Sequence, residues 1–370
     1  MIEFNLENGF DFLSPEYERL FDASDASAFQ HPVWLHWFYR TLVPGLGAEP
    51  AVLVGRWGRD GSLAMLTPLV RRRIRGLRAV EFADLGVTDY AACVCRRETV
   101  QLATRSPESE RRVRALLRPF DILRIKNIPD WAMPFEGLFG SAPRRQMEVS
   151  SHAVPLRDSF PEWRAESLTR SFSKELAKKR RQVERLGALR LELVQEPSDI
   201  EVLMRELQTF RGRRFPNDVL TQPGPFEFYR NVAVDGSARR MARGYRVSVG
   251  GQSAGGLWGL AHRGRFMALI TGLDYEALGR HSIGALTFEE LARACIEEGD
   301  TVLDFTLGDE AYKQRFGTSP TAMWAVSNAG TGVGRLAQTV ASRIRRPPAQ
   351  PGSGLGVERA AWLRPIRGGV

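Results

Sequence analysis

The sequence predicts a mixed α/β protein (α+β, with mixed sheets) with room for two domains, the element order of the second half, the better preserved, returning in degraded form in the first. Three observations lead there. The 370 residues are enough for two ordinary cores. Strand-like runs in the first half follow one another before a helix intervenes, which is not strict β-α alternation. From residue 189 onward the order reads β-α-α-β-β-β-α-β-α-β, with hairpin signals between the three central strands.

The first half, 1–150, opens its regular structure with HPVWLHWFYRTL (31–42), apolar and aromatic at helical spacing. Strands are expected at AVLVGRW (51–57) and LAMLTPLVRRR (63–73). RAVEFADLGVTDYAACVC (78–95) follows, then a polar helix near 107–118 and a strand at DILRIKNI (121–128). Residues 141–157, with Pro143 and Pro155, read as irregular. A basic helical connector is expected over 151–188. Within it SFSKELAKKRRQVERLG (171–187) keeps Phe172, Leu176, Val183 and Leu186 as an apolar stripe. Lys174, Lys178, Lys179, Arg180 and Arg181 gather on and around the other side, either as a solvated face or as a phosphate-binding patch.

The second half, 189–330, begins with strand LRLELVQ and helices at 199–215 and near 225–234. The turns GGQS and HRGR mark antiparallel hairpins between strands 245–251, 253–263 and 265–275. Helix 282–299, strand VLDFTL, a short helix at 310–316 and strand 321–328 complete it. Residues 331–370 read as a basic tail: an amphipathic segment at 332–346, then a Pro/Gly-rich flexible stretch.

Composition narrows the function classes. No apolar run approaches the roughly 20 residues that span a bilayer, and MIEFNLENGFDF has no signal-peptide character, so a cytoplasmic protein is expected. Cys93, Cys95 and Cys295 make neither a disulfide framework nor a four-ligand zinc site. His31, His36, His152, His262 and His281 have no metal-binding spacing, and no metal is expected. The net charge of +9 implies a partner bearing phosphates or carboxylates. No Walker loop, Gly-x-Ser-x-Gly or His-Glu-x-x-His is present.

Two stretches carry candidate chemistry. In RHSIGA (280–285), Ser282 is expected to N-cap the following helix with its hydroxyl. Gly284 in the first turn lets a ligand approach, and Arg280 and the helix dipole favour an anion such as a pyrophosphate. In VLDFTLGDEAYKQRFG (302–317), Asp304 is unfavourable inside a strand unless partnered. It reads either as a base for an incoming amine or as a structural group bonded to Arg315 or Lys313. Asp274 is a second base candidate, and Asp309 reads as the N-cap of the short helix. Lys313 contacts an anionic acceptor or points to solvent. Asp89 and Tyr90 either line a cleft between the halves or form a turn with a buried tyrosine.

The element order after residue 189 is similar to that of the GNAT acetyltransferase superfamily. RHSIGA resembles its coenzyme A pyrophosphate loop, Arg/Gln-x-x-Gly-x-Gly/Ala, with the closing Gly-Ala shifted by one. More closely, TGLDYEALGRHSIGALTFEEL with LDFTLGDEAYKQRFGT looks like the CelD/BcsL-type acetyltransferase family, associated with cellulose biosynthesis. VEFADLGVTDYAACV (80–94), FRGRRF and PFEFYR extend the likeness. The resemblance implies two GNAT-like halves and acyl transfer from acyl-CoA (acetyl-CoA) held by Arg280, Ser282, Ile283, Gly284 and Ala285. It implies that Tyr312 protonates the departing thiolate. A small-molecule or glycan acceptor is expected, such as a sugar or polysaccharide precursor, with an anionic membrane surface as a further partner and no DNA. The related Fem-type transferases, which use aminoacyl-tRNA, are the alternative, and a non-catalytic accessory protein binding an anionic ligand is another.

Overall fold

The computed structural model describes residues 1–343 apart from 133 and 141–143, with backbone alone for 340–343. The Pro/Gly-rich stretch expected beyond the amphipathic segment lies outside the described residues, and helix Gly332–Arg343 covers most of that segment. The described residues divide into two compact units, 1–148 with 322–343, and 149–321.

In the first unit the run 63–73 is two strands rather than one. Leu63–Thr67 and Leu69–Ile74 part at Pro68, which has no amide to give to a ladder. Leu63–Thr67 joins an antiparallel sheet with Ile2–Leu6, Leu53–Trp57 and Val94–Cys95. Leu69–Ile74 joins a second sheet, in which Leu77–Phe82 and Ile122–Pro129 run parallel. Helices Arg97–Thr104 and Pro107–Leu117 lie between that parallel pair in sequence.

Three expectations about the chain's course change. The last strand assigned to the second half is Met323–Ala329, and it pairs with Ile122–Pro129 in the first unit. Burial explains this: Val326 and Trp324 pack into the first unit's core. The basic helix read as a connector is part of the second unit, because Phe172, Leu176 and Val183 sit in that core. The stretch read as irregular contains strand Ser151–Pro155, hydrogen-bonded on both sides.

The second unit runs β1 (Ser151–Pro155), α1 (Phe160–Ser167), α2 (Arg170–Glu184), β2 (Leu189–Val194), α3 (Pro197–Arg214) and α4 (Pro223–Ala238). It continues with β3 (Ala242–Val249), β4 (Gln252–His262), β5 (Arg265–Leu273), α5 (Tyr275–Leu278) and α6 (Ile283–Glu297). It ends with β6 (Val302–Leu307), α7 (Ala311–Gln314) and β7 (Ser319–Thr321). The sheet order is β2-β3-β4-β5-β6-β1-β7. The β3–β4 hairpin turns at Gly250 and Gly251, with φ of +60° and +81°, the left-handed pair that a two-residue turn of this hand requires.

Every neighbouring pair of this sheet is antiparallel except β5 and β6. Helix α6 makes the crossover between them and buries Ile283, Leu286, Leu291 and Cys295 in the same core as Phe266 and Leu303. Truncating one such leucine would cost about 2–5 kcal/mol. The parallel pairing is short. It joins Arg265–Met267 to Val302–Asp304 and stops, so β5 and β6 separate beyond Met267 and Asp304.

Candidate active site

A pocket lies where the two strands part. Ala268, Leu269, Ile270 and Thr271 of β5 form one wall, and Phe305 and Thr306 of β6 form the other. Phe288 of α6, Tyr312 of α7, and Arg211, Asp218 and Val219 complete the lining. Strands that separate lose ladder partners at the split; on the β6 wall the Thr306 amide is taken by Asp304.

Tyr312 enters the pocket from the short helix after β6. Its ring stacks on Phe288 at 5.6 Å and meets Phe305 edge-on at 6.2 Å. Burial pushes its phenol well above the ordinary tyrosine range. Glu310 and Tyr275 add to that shift, and Arg211 partly offsets it. The hydroxyl therefore stays protonated and makes no hydrogen bond among the described residues, leaving a proton to donate within the pocket.

The aspartate in β6 and the lysine in α7 hold the backbone that carries this tyrosine. Asp304 is 1% exposed; Oδ2 pairs with Arg265 at 3.0 Å, and Oδ1 accepts the Thr306 amide at 2.7 Å. Arg265 and a main-chain amide are thus among its partners. Thr306 has φ of +56°, an outlier for a β-branched residue. Lys313 is fully buried, which corrects both the solvent and the acceptor-contact expectations. Its Nζ donates to the carbonyls of Thr306, Leu307 and Gly308 at 3.3, 3.0 and 2.9 Å, and lies 3.0 Å from the Glu310 carboxylate. Asp304 grips the amide of Thr306 and Lys313 its carbonyl, so the two charges hold a left-handed kink on the pocket wall.

Asp309 is not the cap of α7; Glu310 occupies that position. The Asp309 carboxylate instead accepts from His152 Nε2 at 2.8 Å and from the Ser150 amide at 3.1 Å. His152 Nδ1 lies 3.3 Å from Thr318 Oγ1, so one buried imidazole spans the segment 309–318 from end to end.

The start of α6, where an anion site is expected, is built differently from the expectation. Ser282 does precede the helix, but its backbone is left-handed (φ +58°) and its hydroxyl caps nothing. Its carbonyl receives the amides of Ala285 and Leu286 at 3.0 and 3.1 Å. The amides of Ile283 and Gly284, in the first turn, have no intrahelical acceptor and no side-chain cap. Gly284 faces Tyr275: a Cβ there would stand 2.7 Å from the Tyr275 hydroxyl. Arg280 is exposed, donates from Nε to His281 at 3.0 Å, and receives Lys179 Nζ on its carbonyl at 2.6 Å. Asp274 caps α5 through the Ala277 amide at 3.0 Å, which gives it a structural task.

Sequence reasoning missed the Arg211–Asp218 pair. Arg211 Nε donates to both Asp218 oxygens at 3.0 Å, Nη2 also reaches Oδ2, and Nη1 donates to the Thr271 carbonyl at 3.1 Å. Both residues are buried and both line the pocket. The stretch FRGRRF drew notice for family likeness, but nothing in it shows which arginine turns inward.

Asp89 and Tyr90 lie inside the first unit, 3% and 2% exposed. The Tyr90 carbonyl accepts from Gln30 at 2.8 Å, and its ring meets Phe29 and Trp131 edge-on. Among the described residues no cluster of histidine, cysteine or acidic side chains is arranged for a metal ion. No helix there is long and apolar enough to cross a membrane.

The architecture is that of tandem GNAT-like proteins: two units, each with a sheet holding one parallel pair among its described strands. Residues 170–314 match the family model described as acetyltransferase (GNAT) domain. Among solved structures, the chain is similar to FemX, with 11% identity, 88% of this chain and 97% of that one covered, and a TM-score of 0.57. The structure of L-PGS from Bacillus licheniformis gives 12%, 90%, 98% and 0.53. The C-terminal domain of a putative lysylphosphatidylglycerol synthetase from Agrobacterium fabrum gives 14%, 91%, 96% and 0.53. At these identities the likeness is one of fold. No curated protein matches the sequence.

Proposed function

We propose that the second unit is an acyl-CoA-dependent N- or O-acyltransferase of GNAT type, working in the cytoplasm. The observation that carries the reading is the parted β5/β6 pair, whose pocket holds a protonated tyrosine. The family match over 170–314 supports it. In this reading the donor's pyrophosphate sits on the first-turn amides of α6 with Arg280 nearby, and the thioester enters between the strands. An uncharged amine or a hydroxyl attacks the thioester carbonyl, and β5 amides stabilise the oxyanion. The C–S bond then breaks and Tyr312 gives its proton to the leaving sulfur. A thiol of ordinary pKa near 8.5 is a weaker base than a phenolate in water. The phenol therefore gives its proton in step with C–S cleavage, as a general acid does, rather than to a free thiolate. Asp218, the carboxylate lining the pocket, is held by Arg211 and the Leu220 amide and orients the acceptor's N–H or O–H; the proton the acceptor releases passes through water to the Tyr312 phenolate, which restores the acid.

The resemblance to the CelD/BcsL-type family points to a sugar or cell-surface polysaccharide precursor as acceptor. The assay is thiol release from acetyl-CoA and longer acyl-CoAs across amine and sugar acceptors. Turnover that falls at least a hundredfold in Tyr312→Phe supports the reading, and turnover unaffected by that change refutes it. Fem-type transfer from aminoacyl-tRNA is the second reading, favoured by the structural likeness to FemX. Copurifying tRNA, and transfer from charged tRNA with none from acyl-CoA, would establish it instead.

A further inference from the structure

Helix α2 presents a row of cations that the transfer reaction does not use. Arg170, Lys174, Lys178, Arg181 and Arg185 follow one another at steps of 4, 4, 3 and 4 residues. At 3.6 residues per turn they fall within one arc of roughly 80° and extend over about 22 Å. All but Lys179 and Arg180 of the helix's basic side chains belong to this row. Lys179 is engaged with the Arg280 carbonyl, and Arg180 is paired with Glu289 and Glu290. The five are exposed, and none has an ion-pair or hydrogen-bonding partner among the described residues. The opposite side of the helix, Phe172, Leu176 and Val183, is in the core, so the row faces straight outward. Of the two acids on the helix, Glu175 is taken by Arg315, and Glu184 flanks the arc.

Two further features say what such a row fits. Leu186, immediately after Arg185 and past the end of α2, leaves the buried apolar stripe it was expected to join: it is 53% exposed, one of the few large apolar side chains left open on the described surface. Exposed aromatic platforms are scarce on this unit: Tyr275, at 36% exposure, has the Arg214 guanidinium over its ring at 4.2 Å. A single-stranded nucleic acid needs such platforms for its bases, whereas a lipid headgroup layer needs coplanar cations and accepts an apolar tip.

We infer that α2 is a docking face for an anionic membrane surface, with the five cations on lipid phosphates and Leu186 at the headgroup boundary. This goes beyond the transfer chemistry and does not depend on it. Docking would bring the loop 279–281, which α2 touches through Lys179, close to the bilayer.

The test is sedimentation of the full chain with vesicles of pure phosphatidylcholine and of phosphatidylcholine with 30% phosphatidylglycerol, at low salt and at 0.5 M NaCl. Binding is expected to the anionic vesicles alone and to vanish at high salt. Each cation near such a surface is worth about fivefold in affinity, so Lys174→Gln/Lys178→Gln/Arg181→Gln should weaken binding about a hundredfold. The triple change Arg73→Gln/Arg105→Gln/Arg118→Gln alters net charge equally and should leave most of the binding intact. Leu186→Ser should weaken vesicle binding several-fold. No sedimentation with anionic vesicles at low salt overturns the inference, and so does equal loss in both triple variants. Tighter binding to an RNA duplex than to the vesicles at the same salt, indifferent to Leu186→Ser, overturns it in favour of a nucleic-acid surface.

Discussion

Replacing Lys313 with methionine keeps most of the side chain's volume and removes its ammonium. In the folded chain that ammonium meets three consecutive carbonyls and the Glu310 carboxylate, with no part of the residue exposed. A hydrogen bond to a charged group contributes roughly 1.5–3 kcal/mol, and breaking a buried charged pair costs about 3–5 kcal/mol. The Glu310 side chain is 22% exposed, so its outer oxygen keeps its water while the buried Oε2 loses its partner, and the Leu307 and Gly308 carbonyls are less buried than that of Thr306, which puts the net loss near 3 kcal/mol. Urea unfolding followed by tryptophan fluorescence measures it, since Trp163 and Trp258 are both fully buried in the second unit. With a slope of about 2 kcal/mol per molar, the midpoint of that unit should fall by about 1.5 M. The kink at Thr306 and the helix bearing Tyr312 loosen together, so kcat should fall while acceptor KM changes little. An unchanged midpoint with a raised acceptor KM would refute the reasoning. It would mean that the ammonium faces the acceptor after all.

Three other outcomes are expected. Tyr312→Phe should lower kcat by about 10²–10⁴ with little change in donor affinity. Because the phenol's pKa is raised, it remains an acid up to and beyond pH 10, so wild-type kcat should show no alkaline fall from this group below that pH; a tyrosine-dependent fall near pH 8–9 would contradict the burial argument. Thr306→Gly should be more stable than Thr306→Ala by about 1 kcal/mol in the same urea experiment, the reverse of ordinary strand preference, because glycine alone relieves the left-handed φ. Gly284→Ala should weaken acyl-CoA binding by forcing the Tyr275 ring aside, and adding Tyr275→Phe should recover part of the loss, since the hydroxyl is the atom 2.7 Å from the new methyl. Calorimetric titration reads both variants, and identical losses with and without the hydroxyl would remove Tyr275 from the account.

Periodic segments were legible in the sequence because one face of each had to be buried. The strands around GGQS and HRGR, helix 282–299 and the strand at 302–307 lie within a few residues of where their patterns put them. What periodicity does not encode is the sheet a strand joins. Met323–Ala329 reads as the neighbour of what precedes it, yet its partner strands are Ile122–Pro129 and Arg145–Gln146. The candidate site was legible in type and not in detail. Tyr312 lines the pocket, whereas Asp304 and Lys313 serve a backbone kink that spacing cannot reveal. Ser282 has an N-cap's identity without its geometry. Arg211 and Asp218 are seven residues apart across a helix end, and only the turn at 215–221 brings them together.

The central claim is that the first turn of α6 and the split beside it bind an acyl donor. Isothermal titration of the purified chain with acetyl-CoA, beside Ser282→Asp and Gly284→Glu, tests this most directly. The account predicts saturable binding at one site in the wild type and its loss in both variants, while their urea midpoints stay near that of the wild type. No heat at millimolar acetyl-CoA and low salt, or binding that survives both carboxylates, would contradict it.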